Sequence, residues 1–174
     1  VPLERPLGYA EGVTLIRSFA DLPGVRVREE GESFRGLPIF SLELTHPCRS
    51  VWVSHLKRRL FKPTVFINCR HHANEVSSTN AALALARLLA TGPRYRHLLR
   101  GANVVINPME NVDGVTALEA LLHLTPTDKL HAARYNAAGQ EYYREYVAPE
   151  PRYGEAKVKP ALWRRWLPDI CIDS

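Results

Sequence analysis

The chain has 174 residues, of which 45% are hydrophobic and 24% are charged. This composition is typical of one folded globular domain, and it excludes disordered, collagen-like and coiled-coil chains. The net charge is +5, but the basic runs are only Lys57-Arg58-Arg59 and Arg164-Arg165. Because these runs are short, we interpret the charge as a solvated basic surface, with a nucleic-acid-binding face as the alternative.

The sequence predicts neither a membrane span nor a secretory leader. No apolar run approaches the roughly 20 residues that a transmembrane helix needs, and no signal peptide opens the chain, which weakly favours the cytoplasm. The first residue is Val1 instead of Met, so we expect a processed or excised segment. Cys48, Cys69 and Cys171 lack metal-site spacing, and we expect Cys69 and Cys171 to be buried free thiols.

The amino-terminal third predicts antiparallel strands. Residues 1–24 are rich in loop formers, with a short helix around 14–20. The segments 25–29, 39–44 and 51–53 have the composition of short strands, and the first alternates apolar and polar residues. Because only short turns separate these segments, we expect the strands to pair antiparallel.

The middle of the chain predicts a parallel unit. Residues 64–69 and 102–107 are apolar runs typical of strands covered on both faces. An amphipathic segment from about 75 to 89 lies between them, so strand, helix and strand form a βαβ unit with parallel strands.

The remaining segments complete the fold prediction. Residues 128–147 have a helical pattern with a cap at Thr127, residues 158–166 predict a short helix, and residues 167–173 predict a last strand. We therefore predict a single α/β domain over residues 1–174, with a mixed parallel and antiparallel sheet sandwiched by helices.

Polar side chains follow the first buried strand, where open α/β sheets bind ligands. His72 and Glu75 are separated by two residues on the segment that enters the helix. An imidazole and a carboxylate at this spacing can reach one zinc ion from the same side. The alternative is a partly exposed histidine pair in a polar turn. The segment 107–114 follows the second buried strand, and its proline, asparagines and Asp-Gly step predict a constrained structural turn.

Three motifs in this order resemble the zinc metallocarboxypeptidase family, the carboxypeptidase A-like peptidases. They are His72-Ala73-Asn74-Glu75, then Pro108-Met109-Glu110-Asn111-Val112-Asp113-Gly114, and upstream Gly31-Glu32-Ser33-Phe34-Arg35-Gly36-Leu37-Pro38-Ile39. The resemblance runs from about residue 28 to the end and covers the first half or more of the family's catalytic domain. It implies an α/β sandwich around a mixed eight-stranded sheet.

The resemblance also implies roles. His72 and Glu75 match the family's zinc ligand pair, and His71 is their neighbour. The third ligand, a histidine, should follow the strand at 169–173 within a residue or two of Ser174, and the general base, a glutamate, lies further on. Arg134 is our candidate for the arginine that polarises the scissile carbonyl; the alternative is an arginine on a helix surface.

The implied function is zinc-dependent hydrolysis of a C-terminal peptide bond by metal-activated water, with the 174-residue chain itself inactive. The family's Asn-Arg dipeptide is absent, Asn74 replaces an arginine and Val112 replaces a proline. A related amidase or peptidase therefore remains an alternative, as does a family-derived domain that binds a peptide or protein without catalysis.

The partner we expect is a peptide or amide substrate, without nucleic acid or membrane; the oligomeric state is open. Tyr142, Tyr143 and Tyr146 are expected to be packing residues.

Overall fold

The computed structural model of the chain describes residues 1–46, 54–126 and 131–174. The strands are β1 (Val25–Glu32), β2 (Pro38–Leu44), β3 (Thr64–Asn68), β4 (Asn103–Asn107) and β5 (Ile170–Asp173). The α-helices are α1 (Tyr9–Ser18), α2 (His55–Phe61), α3 (Ser77–Thr91), α4 (Val112–Leu124) and α5 (Gly154–Trp166). Short 3₁₀ helices cover Phe19–Asp21, Arg96–Arg100, His131–Arg134 and Tyr142–Glu145.

The five strands form one mixed sheet in the order β1-β2-β4-β3-β5. β1 pairs antiparallel with β2, and β2 pairs antiparallel with β4. β3 pairs parallel with β4 on one side and with β5 on the other. The predicted antiparallel start, the βαβ unit and the mixed sheet are therefore confirmed.

The core lies where α1, α3 and α5 cover the sheet. β4 is buried along its whole length, as its uninterrupted apolar sequence requires. Phe19, Leu83, Ile106 and Leu162 belong to one buried cluster that joins the helices to the strands. None of the helices in the described segments is long and apolar enough to cross a membrane.

Helix α4 was not foreseen, because the Asp-Gly step was interpreted as a turn. Asn111 decides the outcome: its side-chain oxygen accepts a hydrogen bond from the Gly114 backbone N–H at 2.9 Å and so caps the first turn of the helix. The turn-forming residues were recognised, but the turn they form is the first turn of α4.

The predicted helix over 128–147 is wrong across its described part. Residues 131–147 form two 3₁₀ helices separated by a turn. Asn136 makes this turn, because its side-chain oxygen accepts hydrogen bonds from the backbone N–H groups of Ala138 and Gln140. Gly139 then takes a φ of 67°, which interrupts the helix.

The cysteine prediction holds for one residue of two. Cys69 is buried and its pKa is raised by burial to about 12. Cys171 is exposed, because β5 lies at the edge of the sheet with its side chains uncovered. Three of the predicted features, Cys48, the strand at 51–53 and the cap at Thr127, lie outside the described residues.

Candidate functional site

The structure brings His72 and Glu75 together just beyond the carboxyl end of β3. His72 Nδ1 lies 3.0 Å from Glu75 Oε1. Two donors on one tetrahedral zinc ion, each at about 2.0–2.1 Å from the metal, would be about 3.3 Å apart. The 3.0 Å contact is a hydrogen-bond distance, and it is close to this separation. No group of three His, Cys, Asp or Glu residues able to hold a metal occurs within the described segments.

A buried arginine shapes the loop that carries the pair. Arg70 has a φ of 55°, and its side chain is 1% exposed. Its Nε and Nη2 groups donate to the Ala73 carbonyl at 3.0 and 2.8 Å, and Nη1 donates to the Leu7 carbonyl at 2.7 Å. Burial lowers the pKa of Arg70 to about 10. Because Ala73 lies between His72 and Glu75, Arg70 fixes the backbone on which both side chains stand.

Arg134 is linked to His72 through Glu141. Its Nε group donates to Glu141 Oε1 at 3.0 Å, and the same oxygen lies 4.0 Å from His72 Nε2. His72 Nε2 is buried and has no hydrogen-bond partner within the described part of the chain. The hydrogen bond from Arg134 lowers the pKa of Glu141. Glu141 is therefore a carboxylate between Arg134 and His72, which the sequence analysis missed.

Asn111 holds Arg134 in this position. Its side-chain amide group donates to the carbonyls of Arg134 and Tyr135 at 3.2 and 3.1 Å. The same side chain caps α4 through its oxygen. A single buried residue thus ties the end of β4 to the segment that presents Arg134.

A second polar cluster lies on the other side of His71. Glu110 is fully buried, and it accepts hydrogen bonds from Asn68 Nδ2 at 2.6 Å and from the Tyr146 hydroxyl. His71 Nδ1 lies 3.3 Å from Glu110 Oε2 and 3.0 Å from the Tyr146 hydroxyl. Burial and the Glu110 carboxylate raise the pKa of Tyr146. His71 Nδ1 thus contacts Glu110 and Tyr146, whereas His72 Nδ1 contacts Glu75.

The same cluster joins the three parallel strands. Asn68 at the end of β3 also donates to Asp173 of β5 at 2.8 Å. Asp173 pairs in turn with the ammonium group of Lys159 on α5, a side chain that is 6% exposed. The Tyr142 hydroxyl donates to the His71 carbonyl at 3.1 Å. The tyrosines of the 142–146 segment therefore pack against the loop after β3 and hold it.

The other two motifs meet each other instead of the His72–Glu75 pair. The Ser33 hydroxyl donates to Asp113 Oδ1 at 2.6 Å, and the Arg35 backbone N–H donates to Asp113 Oδ2 at 3.1 Å. The Phe34 backbone N–H donates to Glu155 Oε2 at 3.2 Å. Gly36 has a φ of 79°, which closes the turn. The upstream motif and Asp113 therefore fasten the β1–β2 turn to α4 and α5. Glu110 and Asn111 of the second motif instead contact His71 and the backbone of Arg134.

Glu75 stands between two cavities. One has a volume of about 480 Å³ and is lined by His71, His72, Glu75, Ser77, Ser78, Asp173 and Ser174. The other has a volume of about 410 Å³, and its lining includes Glu75, Leu118, Leu122, His131 and Arg134. A molecule bound across Glu75 would reach the imidazole of His72 on one side and the guanidinium of Arg134 on the other.

The family model for zinc carboxypeptidases matches residues 15–160. The chain belongs to this family. No curated protein matches the chain significantly.

Solved zinc carboxypeptidase structures share the fold. The metallo-carboxypeptidase from Burkholderia cenocepacia superposes with a TM-score of 0.73 at 22% identity, covering 97% of this chain and 40% of that one. The metallo-carboxypeptidase from Pseudomonas aeruginosa, in complex with (2-guanidinoethylmercapto)succinic acid, gives 0.72 at 20% identity, with 97% and 39% covered. Carboxypeptidase A from Helicoverpa armigera gives 0.70 at 18% identity, with 99% and 46% covered. The chain spans less than half the length of these carboxypeptidases.

Proposed function

We propose that this chain supplies part of the active site of a zinc-dependent peptidase that hydrolyses a C-terminal peptide bond. His72 and Glu75 are the two zinc ligands in this proposal. The observation that carries it is the 3.0 Å approach of His72 Nδ1 to Glu75 Oε1 at the carboxyl end of a parallel strand, within a chain of the zinc carboxypeptidase family.

The donor set suits zinc, which takes imidazole nitrogen and carboxylate oxygen at about 2.0–2.2 Å. When bound, zinc supplies a Lewis acid and lowers the pKa of a bound water molecule. Neighbouring side chains set the environment of His72 and Glu75. Glu141 lies 4.0 Å from His72 Nε2, too far for a hydrogen bond, and its negative charge there would raise the basicity of a metal-binding imidazole.

Arg134 is the residue we assign to the substrate carbonyl. Glu141 engages its Nε group, and its two terminal nitrogens make no hydrogen bond to another residue of the described segments. These nitrogens can therefore donate hydrogen bonds to a substrate oxygen. A cation fixed beside a carbonyl stabilises the negative charge that develops on its oxygen during attack by water.

A catalytic zinc site of this kind takes three protein ligands and a general base. We propose that the third ligand and the base come from polypeptide outside these 174 residues. The support is that the chain spans about two fifths of the bacterial carboxypeptidases it matches, and that Asp173 and Ser174 line the same cavity as His72 and Glu75. The 174-residue chain alone should then bind zinc weakly and hydrolyse no peptide.

The test is a titration of the 174-residue chain with Zn²⁺ and with Co²⁺, followed by calorimetry and visible absorption. His72→Ala should abolish the strongest binding, because it removes one of two ligands. His123→Ala is the matched control, since His123 is exposed on the last turn of α4. Equal binding by both variants would show that His72 is not a ligand. Efficient cleavage of an N-blocked dipeptide by this chain would refute the need for groups outside it.

A further inference from the structure

A third cavity lies at the opposite end of the sheet. It has a volume of about 370 Å³ and sits between the end of α3, the 3₁₀ helix Arg96–Arg100 and the residue that follows Thr45. β4 begins just after this 3₁₀ helix, so the cavity is at the amino ends of β3 and β4. His72 and Glu75 are at the carboxyl ends of these strands, and the cavity shares no lining residue with their site.

The rim of this cavity is basic. His46, Arg96, His97 and Arg100 line it, and its described lining contains no acidic residue. These four side chains make no ion pair or hydrogen bond with another residue in the described segments. Arg134, by contrast, has a carboxylate partner in Glu141.

The two guanidinium groups on this rim, Arg96 and Arg100, have no carboxylate of the described segments beside them, so their mutual repulsion is reduced only by solvent. Two guanidinium groups and two imidazoles present many N–H donors in a small space. An anion bound among them would remove the repulsion and accept charge-assisted hydrogen bonds, which are about twice as strong as neutral ones. Arginine forks suit the paired oxygens of a phosphate or a carboxylate.

The floor of the cavity is apolar. Leu89, Ala90 and Leu99 are buried side chains that line it, and Pro23 and Pro93 stand at its edge. Lys62 donates from its ammonium group to the carbonyl of Leu99, one of these lining residues, at 2.8 Å. A cavity of this size suits a small molecule. The floor accounts for an apolar part of that molecule, and the rim accounts for its charge.

We propose that this cavity binds a small organic anion, a phosphate ester or a carboxylate that carries an apolar group. Arg96 and Arg100 hold the anionic group, and Leu89 and Leu99 contact the apolar group. The site is separate from the proposed zinc site, and this proposal does not depend on the peptidase function.

The experiment uses the ¹⁵N-labelled 174-residue chain and four probe molecules: phenyl phosphate, benzoate, inorganic phosphate and benzyl alcohol. Phenyl phosphate or benzoate should bind at least about tenfold more tightly than inorganic phosphate, because only they bury an aromatic ring. Benzyl alcohol should not bind measurably. The largest amide shifts should come from residues 89–90 and 96–100. The comparison of phenyl phosphate with benzoate identifies the anionic group.

Three single variants test the rim. Arg96→Gln and Arg100→Gln should each weaken the better of the two aromatic anions about tenfold, the size expected for losing one charged hydrogen-bond donor. Arg94→Gln is the matched control: Arg94 is exposed, neighbours the rim in sequence and lies over the ring of Tyr95 instead of lining the cavity. Its effect should stay below twofold. All three positions are exposed, so the fold should survive each change, which circular dichroism would verify.

Several results would overturn the proposal. They are an equal loss of affinity in all three variants, equal affinity for phenyl phosphate and inorganic phosphate, and amide shifts centred away from Leu89 and Leu99. Tighter binding of an oligoglutamate peptide than of either aromatic anion would also overturn it, since the cavity would then serve an acidic polypeptide.

Discussion

Glu155 should make the stability of this chain depend on pH. Its carboxyl group is fully buried on the first turn of α5 and binds the Phe34 backbone N–H. Burial, with Asp113 nearby, raises its pKa from 4.5 to about 7. Between these two values the unfolded chain releases a proton that the folded chain keeps, so the free energy of unfolding falls as the pH rises.

The size of this effect follows from the two pKa values. The raised pKa lowers the free energy of unfolding by about 3 kcal/mol at pH 8 and by about 1 kcal/mol at pH 5, at about 1.4 kcal/mol per unit of pKa. Glu155→Gln keeps an acceptor for the Phe34 N–H and cannot ionise. The gain of the variant over the wild type should therefore be about 2.5 kcal/mol larger at pH 8 than at pH 5.

Urea unfolding at the two pH values measures the difference directly, and comparing the two conditions removes any effect of the substitution that is independent of pH. Glu150→Gln is the control, because Glu150 is exposed. The reasoning is refuted if Glu155→Gln gains the same amount at pH 5 and pH 8, or if Glu150→Gln shows the same dependence on pH.

Three further changes test how the site is held. Glu141→Gln should weaken Co²⁺ binding about tenfold while unfolding in urea stays unchanged, because it removes the negative charge beside His72; unchanged Co²⁺ affinity would argue against that role. Arg70→Met should lower the free energy of unfolding by about 3 kcal/mol, since the buried carbonyls of Leu7 and Ala73 lose their donors; a loss below about 1 kcal/mol would show that the loop finds other partners. Asn111→Ala should cost about 2 kcal/mol through the lost cap of α4 and increase NMR line broadening at residues 134–136; sharp, unshifted signals there would contradict its anchoring role.

The site is assembled from three separate parts of the chain. The loop after β3 contributes His72 and Glu75, and the end of β4 contributes Asn111 and Glu110. The segment 131–146 contributes Arg134 and Glu141. Family resemblance indicates which of these residues to consider, but the hydrogen bonds show how each one is held. The Ser33–Asp113 bond, for example, shows that the upstream motif and Asp113 fasten the fold.

The two buried strands of the βαβ unit and the candidate ligand pair were predictable from local sequence. A buried parallel strand needs an uninterrupted apolar run, so residues 64–69 and 102–107 can be predicted as such strands. Ligands bind at the carboxyl ends of such strands, so His72 and Glu75 could be predicted as a candidate metal-binding pair. These signals depend only on neighbours in sequence.

Only the tertiary structure decided the surroundings of that pair. Glu141 reaches His72 because a turn made by Asn136 interrupts a segment whose residues have a helical pattern. Glu110 reaches His71 across 39 residues, and Arg70 reaches Leu7 across 63. Such contacts depend on how the strands and loops pack, and no spacing in the sequence encodes them. The sequence therefore determined which groups could bind a metal, and the fold determined which carboxylates and cations stand next to them.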